Sequence, residues 1–252
     1  MSRPLITLLT DFGRSDSYVG TMKGVILGIC PEAALVDLSH EIQPQAVRQA
    51  AYLLSTAAPY FPPGTVHLAV VDPGVGGARR PIAVRTERAI YVAPDNGLLS
   101  LALAADPARS AVLLTESRYH LPQISATFHG RDIFAPAAAH LASGVDLYQM
   151  GDAIRLPELV HLAAREPVRQ LDGSWLGEVL HVDHFGNLVT SFQGSQLGAR
   201  WSVGLAEELI AGLNHTFSDV EPGELVAYVG SSGYLEIAER EGSAAARLGV
   251  GV

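Results

Sequence analysis

Apolar runs of strand length alternate with helical patterns from the start of the chain to about residue 145. The runs rich in aliphatic and β-branched residues predict strands at 5–10, 34–38, 65–71, 82–86, 89–93 and 111–115. Between them, residues 17–29 and 45–58 carry apolar positions at helical spacing. Strands separated by helix-length crossovers indicate a mainly parallel sheet. The link Thr86–Arg88 is instead of hairpin length.

The pattern changes after residue 152. Residues 153–172 alternate charged and apolar positions around two prolines, Pro157 and Pro167, which predicts a surface linker. From residue 173 onward the chain shows short β-type runs separated by turn signals. We therefore expect an α/β domain over 1–152 and a smaller all-β, barrel-like domain over 173–252.

Composition narrows the class of protein. The 252 residues are 48% apolar and 17% charged, which is typical of a globular chain. The net charge of −9 disfavours a nucleic-acid or anionic membrane partner. No apolar run is long enough to span a bilayer and the start of the chain lacks a signal pattern, so we expect a cytoplasmic protein. Cys30 alone provides neither a disulfide framework nor a cysteine zinc cluster.

Polar residues follow the strand-like runs on glycine-containing turns. Asp11 follows the run 5–10, Asp72 follows 65–71, and the segment FHGRD (128–132) opens an alanine-rich helix predicted over 133–143. The carboxyl ends of parallel strands form the ligand crevice of open α/β sheets. The sequence therefore predicts a site at this edge. The segment DPGVGGARR (72–80) lacks the Gly-Lys-[Ser/Thr] ending of a phosphate loop.

Each of these residues also has a purely structural interpretation. Asp72 could end a tight turn with solvated arginines, but a carboxylate after a buried strand needs a partner, and Arg79 is close in sequence. His129 could be an ordinary hydrogen-bonded histidine, and Asp132 is predicted to cap the helix that follows. A metal site built with Asp183 and other residues is less favoured, because no HxH or HxxxH spacing occurs and Arg131 would stand beside the ion.

Two further segments leave alternatives open. Asp11 and Asp16 could form a turn and a helix N-cap, or could hold ribose hydroxyls or an ammonium group. The segment Asp183-His184-Phe185-Gly186-Asn187 suits stacking of a purine and reading of its edge, although a turn with a buried Phe185 would also account for it.

Six ordered motifs resemble the S-adenosyl-L-methionine (SAM) hydroxide adenosyltransferase family, relatives of the bacterial fluorinase and chlorinase. They are LLTDFGRSDSYVG (8–20), VVDPGVGGARR (70–80), APDNGLLS (93–100), TFHGRDIFAP (127–136), VDHFGNLVTS (182–191) and SSGYLEIA (231–238). The resemblance implies an N-terminal α/β domain, a C-terminal β-barrel and a homotrimer. Its active sites would lie between one subunit's N-terminal domain and a neighbour's C-terminal domain.

The resemblance also implies roles for individual residues. Asp72, Arg79 and His129 match the trio that positions a water in the hydroxide branch, whereas the halogenases carry a Tyr where Asp72 stands. The fluorinase also has a long insertion where this chain has only the link Thr86–Arg88. Both differences favour water over halide as the nucleophile.

Substrate-binding roles follow from the same comparison. It assigns Asp11 to the ribose diol. This chain departs from the fluorinase at two positions: Ser232 replaces an Arg near the methionine carboxylate, and Gln45 replaces a Trp beside the ribose. The methionine moiety is assigned to Asp16, Asp183 and Ser231. The adenine is assigned to Phe185, Asn187 and Phe217.

The expected reaction is therefore hydrolysis of SAM to adenosine and L-methionine, with SAM as substrate and with neither cofactor nor metal. A chloride-using halogenase, a non-catalytic SAM or adenosine sensor and a metal-dependent hydrolase are the alternatives.

Overall fold

The computed structural model describes residues 3–163, 166–198 and 201–252. It divides the chain into two compact units, Met1–Leu162 and Ala163–Val252. Their two architectures confirm the predicted combination of an α/β domain with a smaller all-β domain. No helix in the described part of the chain is both long enough and apolar enough to cross a membrane.

From residue 3 to its end, the first unit contains seven strands and four α-helices. In chain order they are β1 (Leu5–Thr10), α1 (Tyr18–Ile29), β2 (Ala34–Ser39), α2 (Val47–Ala57), β3 (Thr65–Val70), β4 (Pro81–Arg85), β5 (Ala89–Pro94), α3 (Ser100–Ala105), β6 (Ser110–Leu113), α4 (Ala135–Ala142) and β7 (Ala153–Ile154). A π-helical turn, Gly130–Phe134, leads directly into α4.

These strands form one sheet in the order β2-β1-β3-β5-β4-β6-β7. The pairings among β2, β1, β3 and β5 are parallel, and those of β4, β6 and β7 are antiparallel. Every residue of the central strand β3 is buried, because apolar clusters cover both faces of the sheet. One cluster includes Met22 and Ala138 from α1 and α4, and the other includes Leu54 and Ala102 from α2 and α3.

The predicted linker region begins as part of this first unit. Ile154 in β7 and Leu159 are buried in the cluster that covers the α2 and α3 face. The first unit therefore continues past residue 152 to Leu162, because apolar side chains within the 153–172 segment pack on its core.

The second unit is built almost wholly from antiparallel strands. They are β8 (Val168–Arg169), β9 (Trp175–Leu176), β10 (Val179–Val182), β11 (Leu188–Gln193), β12 (Ser202–Leu205), β13 (Glu208–Ala211), β14 (Leu225–Val229) and β15 (Tyr234–Glu239), followed by the short helix α5 (Ala244–Leu248). The main sheet has the order β10-β11-β15-β14, and β8–β9 and β12–β13 are separate hairpins. Its core includes Leu188, Ala227 and Ile237.

Candidate active site

Two carboxylates leave the sheet at the same edge. In the parallel pairing of β1 with β3, Thr10 lies opposite Val70. Asp11 is the next residue after Thr10, and Asp72 follows Val70 by two positions. The expected placement of both residues at the carboxyl edge of the parallel strands is thus observed.

Asp72, Arg79 and His129 form one hydrogen-bonded cluster. Arg79 Nε donates to Asp72 Oδ2 at 2.7 Å, and Arg79 Nη2 lies 2.5 Å from the same oxygen. Arg79 Nη2 also lies 2.7 Å from His129 Nδ1. The side chains of Arg79 and Asp72 are only 9% and 5% exposed, and the guanidinium lies 5.2 Å from the centre of the Phe134 ring. The alternative of a tight turn in which Arg79 is solvated is therefore wrong.

The glycine-rich turn lets the two loops of the cluster approach each other. Gly76 has a φ of +74°, and a Cβ at this residue would lie 2.4 Å from the carbonyl oxygen of Ala126. Gly74 leaves the space in which the Arg79 side chain folds back, since a Cβ there would lie 3.1 Å from Arg79 Cγ. The glycines of this segment therefore bring the Asp72 loop against the loop that precedes His129.

The hydrogen bonding indicates which protonation state His129 adopts. A guanidinium can only donate, so His129 Nδ1 must accept from Arg79 and carries no proton. Burial lowers the pKa of His129 and the charge of Arg79 lowers it further, against opposing effects of Asp72, Asp132 and the Ser125 backbone. A neutral imidazole that orients the guanidinium follows from both observations.

Asp132 does not cap the helix as the sequence predicted. It is fully buried inside the π-helical turn, where its carboxylate accepts from the backbone N–H and the hydroxyl of Ser125 and pairs with Arg131. These bonds fix the loop before His129. A π-helical turn has a different residue spacing from the α-helix that the alanine-rich pattern indicates, which explains the error.

Asp11 is held by the loop that follows β2. Its Oδ2 accepts a hydrogen bond of 2.8 Å from the backbone N–H of Gln45, whose φ is +68°. Asp16 is exposed between β1 and α1, and it is not the helix N-cap, a position that Ser17 occupies without a side-chain cap. Asp11 and Asp16 therefore lie on the same loop between β1 and α1. Helix capping does not explain the carboxylate of Asp16, because Ser17 occupies the cap position.

Arg80 points to a different partner from its neighbour Arg79. Its guanidinium pairs with Asp95 Oδ2 and donates to the carbonyl oxygen of Glu158. Asp95 Oδ1 in turn accepts from the backbone N–H of Val160. Arg80 thus fastens the last segment of the first unit and is not part of the Asp72 cluster.

The second unit contains a cavity of about 1130 Å³. Its lining includes most of the residues that the resemblance assigns to substrate in this domain: Asp183, Phe185, Asn187, Phe217 and Ser231. Ser232 is the exception, because it lines a neighbouring cavity with Val229 and Tyr234. Sequence motifs far apart in the chain therefore converge on one concave surface.

The turn at Asp183 presents an aromatic ring to solvent. Asp183 Oδ1 accepts from the backbone N–H groups of Phe185 and Asn187, and Oδ2 accepts from Asn187 Nδ2. Asn187 is buried, whereas Phe185 is 73% exposed. The alternative of a turn with a buried Phe185 is wrong, and an exposed ring beside a fixed amide suits stacking of a flat ligand.

Glu236 also lines this cavity, and it was not predicted from the sequence. It is half-buried, and its Oε2 accepts from the Tyr228 hydroxyl at 2.7 Å. Burial raises the pKa of Glu236, and the nearby Asp183 raises it further. The available signal was a charged residue within the strand-like run of the SSGYLEIA motif.

The fold and the site define a protein with an α/β unit, an all-β unit and an acid–guanidinium–imidazole cluster at the carboxyl edge of the parallel strands. The chain belongs to the SAM hydroxide adenosyltransferase family: the family's N-terminal domain matches residues 6–151 and its C-terminal domain matches residues 177–252. Within the described residues, no group of three or more His, Cys, Asp or Glu is placed to hold a metal ion.

Related proteins match almost the whole length of the chain. An (R)-S-adenosyl-L-methionine hydrolase of Salinispora tropica is 44% identical, covering 98% of this chain and 94% of that protein. A protein of the same name from Thermus thermophilus is 45% identical, covering 97% of this chain and 95% of that protein. A fluorinase of Nocardia brasiliensis is 30% identical over 96% and 92%. The crystal structure of an uncharacterized conserved protein from Thermotoga maritima, 37% identical, covers 97% of this chain and 96% of its own with a TM-score of 0.89.

Proposed function

We propose that this chain hydrolyses SAM to adenosine and L-methionine. One observation carries the proposal: Asp72 Oδ1 is buried and has no hydrogen-bond partner among the described residues, while Oδ2 is held by Arg79. A buried carboxylate oxygen without a partner costs free energy, and a bound water would satisfy it. The nucleophile is the water held at Asp72 Oδ1. The names of the relatives in Salinispora tropica and Thermus thermophilus support this substrate and reaction.

The reaction balances without a further reactant. The oxygen of water attacks C5′ of the adenosyl group in line with the C5′–S bond, and this bond breaks with its electron pair going to sulfur. The sulfonium becomes the neutral thioether of methionine, so the leaving group needs neither a proton nor a cofactor. The water passes one proton to Asp72 Oδ1 and from there to solvent, which leaves the 5′-hydroxyl of adenosine.

The cluster divides the work among its three members. Asp72 is the general base, a role that typically contributes about 10²–10⁴-fold in rate. Arg79 orients that carboxylate, and its charge stabilises developing hydroxide character. His129 accepts from Arg79 and fixes the guanidinium. This division favours Asp72 over His129 as the proton acceptor, because the Nδ1 lone pair of His129 is already occupied.

Other residues bind the remainder of the substrate. Asp11 holds the ribose diol, and Asp16, Asp183 and Ser231 hold the methionine moiety. Phe185, Asn187 and Phe217 hold the adenine, supported by the shared cavity and the exposed Phe185 ring. Ser232 is assigned to the methionine moiety as well: it lines the neighbouring cavity, and its side chain bonds Glu236, which lines the cavity of Asp183.

The proposal includes a homotrimer with active sites between subunits, as the family resemblance implies. The residues for water and ribose all belong to Met1–Leu162, and those for adenine belong to Ala163–Val252. A subunit would supply the first set to one site and the second set to another. Such head-to-tail contacts close into a ring when the rotation permits it.

Product analysis in H₂¹⁸O tests the reaction. The purified protein is incubated separately with the R and S sulfonium epimers of SAM, with and without EDTA and with added chloride. We expect ¹⁸O in the 5′-hydroxyl of adenosine from the R epimer, at a rate that EDTA leaves unchanged. Formation of 5′-chloro-5′-deoxyadenosine would instead indicate a halogenase, and SAM binding without any product would indicate a sensor.

The arginine pair offers a matched control for this assay. Arg79→Gln should abolish most of the label incorporation, whereas Arg80→Gln, which loses the pairing with Asp95 instead, should retain it. Equal losses in the two variants would contradict the assignment of Arg79.

A further inference from the structure

The loop carrying Asp11 is joined to the loop after β2 through one histidine. The Thr10 hydroxyl lies 2.8 Å from His40 Nδ1, and the backbone N–H of Phe12 donates to that same hydroxyl. The carbonyl oxygen of His40 accepts from the backbone N–H of Gly13 at 2.8 Å. His40 therefore contacts the Asp11 loop on both sides of Asp11.

The other side of the His40 ring faces a carboxylate. His40 Nε2 lies 3.1 Å from Asp37 Oδ1, and Lys23 Nζ donates to Asp37 Oδ2 at 2.7 Å. Nε2 has no partner other than Asp37 in the described part of the chain. His40 is only 2% exposed and Thr10 is fully buried. The ring thus lies between Thr10 and Asp37 with no space to rotate freely.

A similar pair elsewhere in the sheet provides a comparison. His67 in β3 is 1% exposed, and its Nδ1 lies 2.8 Å from the hydroxyl of the buried Thr7. This pair has the same chemistry and burial as Thr10 and His40. It differs because both of its members lie within strands, at positions where no site loop begins.

We propose that His40 is a positioning residue that fixes Asp11 for recognition of a ribose diol. His40 bonds Thr10 and Gly13 on either side of Asp11, and it opens the loop whose Gln45 N–H binds Asp11 Oδ2. With Oδ2 held in this way, the Asp11 carboxylate has one defined orientation. This inference rests on the proposed function, because the diol belongs to the adenosyl group of SAM.

Binding of product analogues tests the inference independently of turnover. Dissociation constants for adenosine and for 2′,3′-dideoxyadenosine, which lacks the diol, are measured by calorimetry on the full chain. His40→Ala should weaken adenosine binding by about tenfold, a change typical of a lost well-oriented hydrogen-bonding group. Binding of the dideoxy compound should change by less than about twofold, since Asp11 has no hydroxyl to hold.

Two further comparisons separate positioning from general stability. In an Asp11→Ala background, His40→Ala should cost almost nothing more in adenosine binding, because coupled residues act non-additively. His67→Ala should lower the melting temperature without a selective loss of adenosine. His40→Asn, whose amide reaches the Nδ1 position, should restore most of the binding. If His40→Ala does not fold, Thr10→Val removes the bond to His40, together with that from the Phe12 N–H, with little change of volume.

The outcomes distinguish this inference from the proposed function. Equal weakening of both nucleosides, or full additivity with Asp11→Ala, would overturn the role of His40. Failure of the wild-type protein to bind adenosine would overturn it as well. In the remaining outcome, the wild-type protein binds adenosine but releases none from SAM, and His40→Ala weakens the binding of adenosine only. That result would support the role of His40 and overturn only the hydrolase.

Discussion

The two oxygens of Asp72 have different surroundings, and this difference can be tested at the level of one atom. Asp72→Asn keeps an oxygen for Arg79 but replaces the unpartnered Oδ1 by an amide that cannot accept a proton. We expect kcat to fall by roughly 10²-fold or more with little change in KM, because general-base assistance is lost.

Steady-state kinetics with SAM would measure this effect. Asp95→Asn is the control, since Asp95 pairs with Arg80 in a similarly buried position outside the cluster. An Asp72→Asn variant with wild-type kcat would show that the proton goes elsewhere.

His67 provides a residue-scale prediction about pH. Burial lowers the pKa of His67 to about 4 from the ordinary value of 6.5. Between these values the unfolded chain binds a proton that the folded chain does not, so stability falls as the pH decreases from 6.5 towards 4. The full effect is at most about 3 kcal/mol, at 1.36 kcal/mol per pKa unit.

Urea denaturation followed by circular dichroism at several pH values would measure this loss. His67→Gln, which removes the titrating group, should flatten the dependence on pH in this window. An unchanged slope in the variant would mean that other groups cause the acid sensitivity.

At the scale of elements, the glycine-rich turn joins the loops of Asp72 and His129. Gly76→Ala combines an unfavourable φ of +74° with a Cβ only 2.4 Å from the Ala126 carbonyl oxygen. We expect a loss of at least about 1–3 kcal/mol in stability and a marked fall in kcat, because the two loops must separate.

Gly64→Ala is the matched control, because Gly64 has a φ of +86° but no atom within 4 Å of the added Cβ. It should lower stability by about 1 kcal/mol through the backbone alone, without a change in kcat. Thermal melts and SAM kinetics on both variants separate strain from displacement of the loop.

The strands and long helices were predictable from the sequence because their burial produces regular spacing. The predicted strand 65–71 and helix 17–29 differ from β3 and α1 by one residue at an end. The short elements α3 and β7 were missed, since six and two residues carry too little periodicity. Asp132 was misassigned because the spacing that indicates a helix cannot distinguish a π-helical turn from an α-helical one.

The candidate site was predictable only in part from residue patterns. The position of Asp72 after a buried strand indicated that it needs a partner, and Arg79 is that partner. The residue pattern also singled out His129, but only the family resemblance grouped it with these two residues, from which it is distant in sequence. The surroundings of Glu236 and of the His40 ring are formed by contacts between different segments of the chain. The spacing of residues within one segment does not predict such contacts.

At the scale of the whole molecule, mixing of subunits tests where the sites lie. Asp72→Asn impairs the first unit, and Phe185→Glu impairs the cavity of the second without burying a charge, because Phe185 is exposed. Each variant alone should be nearly inactive. Trimers formed randomly from equal amounts should recover about a quarter of wild-type activity, since that share of interfaces combines two intact halves.

Co-expression with two affinity tags would isolate the mixed trimers, in which one interface of three combines two intact halves, so their expected activity rises to about a third of wild type. Sedimentation would establish their mass. Activity no greater than the sum of the separate variants would indicate sites made within one subunit. A mass other than that of three chains would contradict the trimer directly.

The backbone of Gln45 adopts a conformation that lowers the stability of the fold. A side chain in the left-handed region costs roughly 1–2 kcal/mol, which a glycine would avoid. Glycine would also restore freedom to the peptide whose N–H fixes Asp11. Gln45→Gly should therefore raise stability and, on the role proposed for Asp11, weaken the preference for adenosine over its dideoxy analogue.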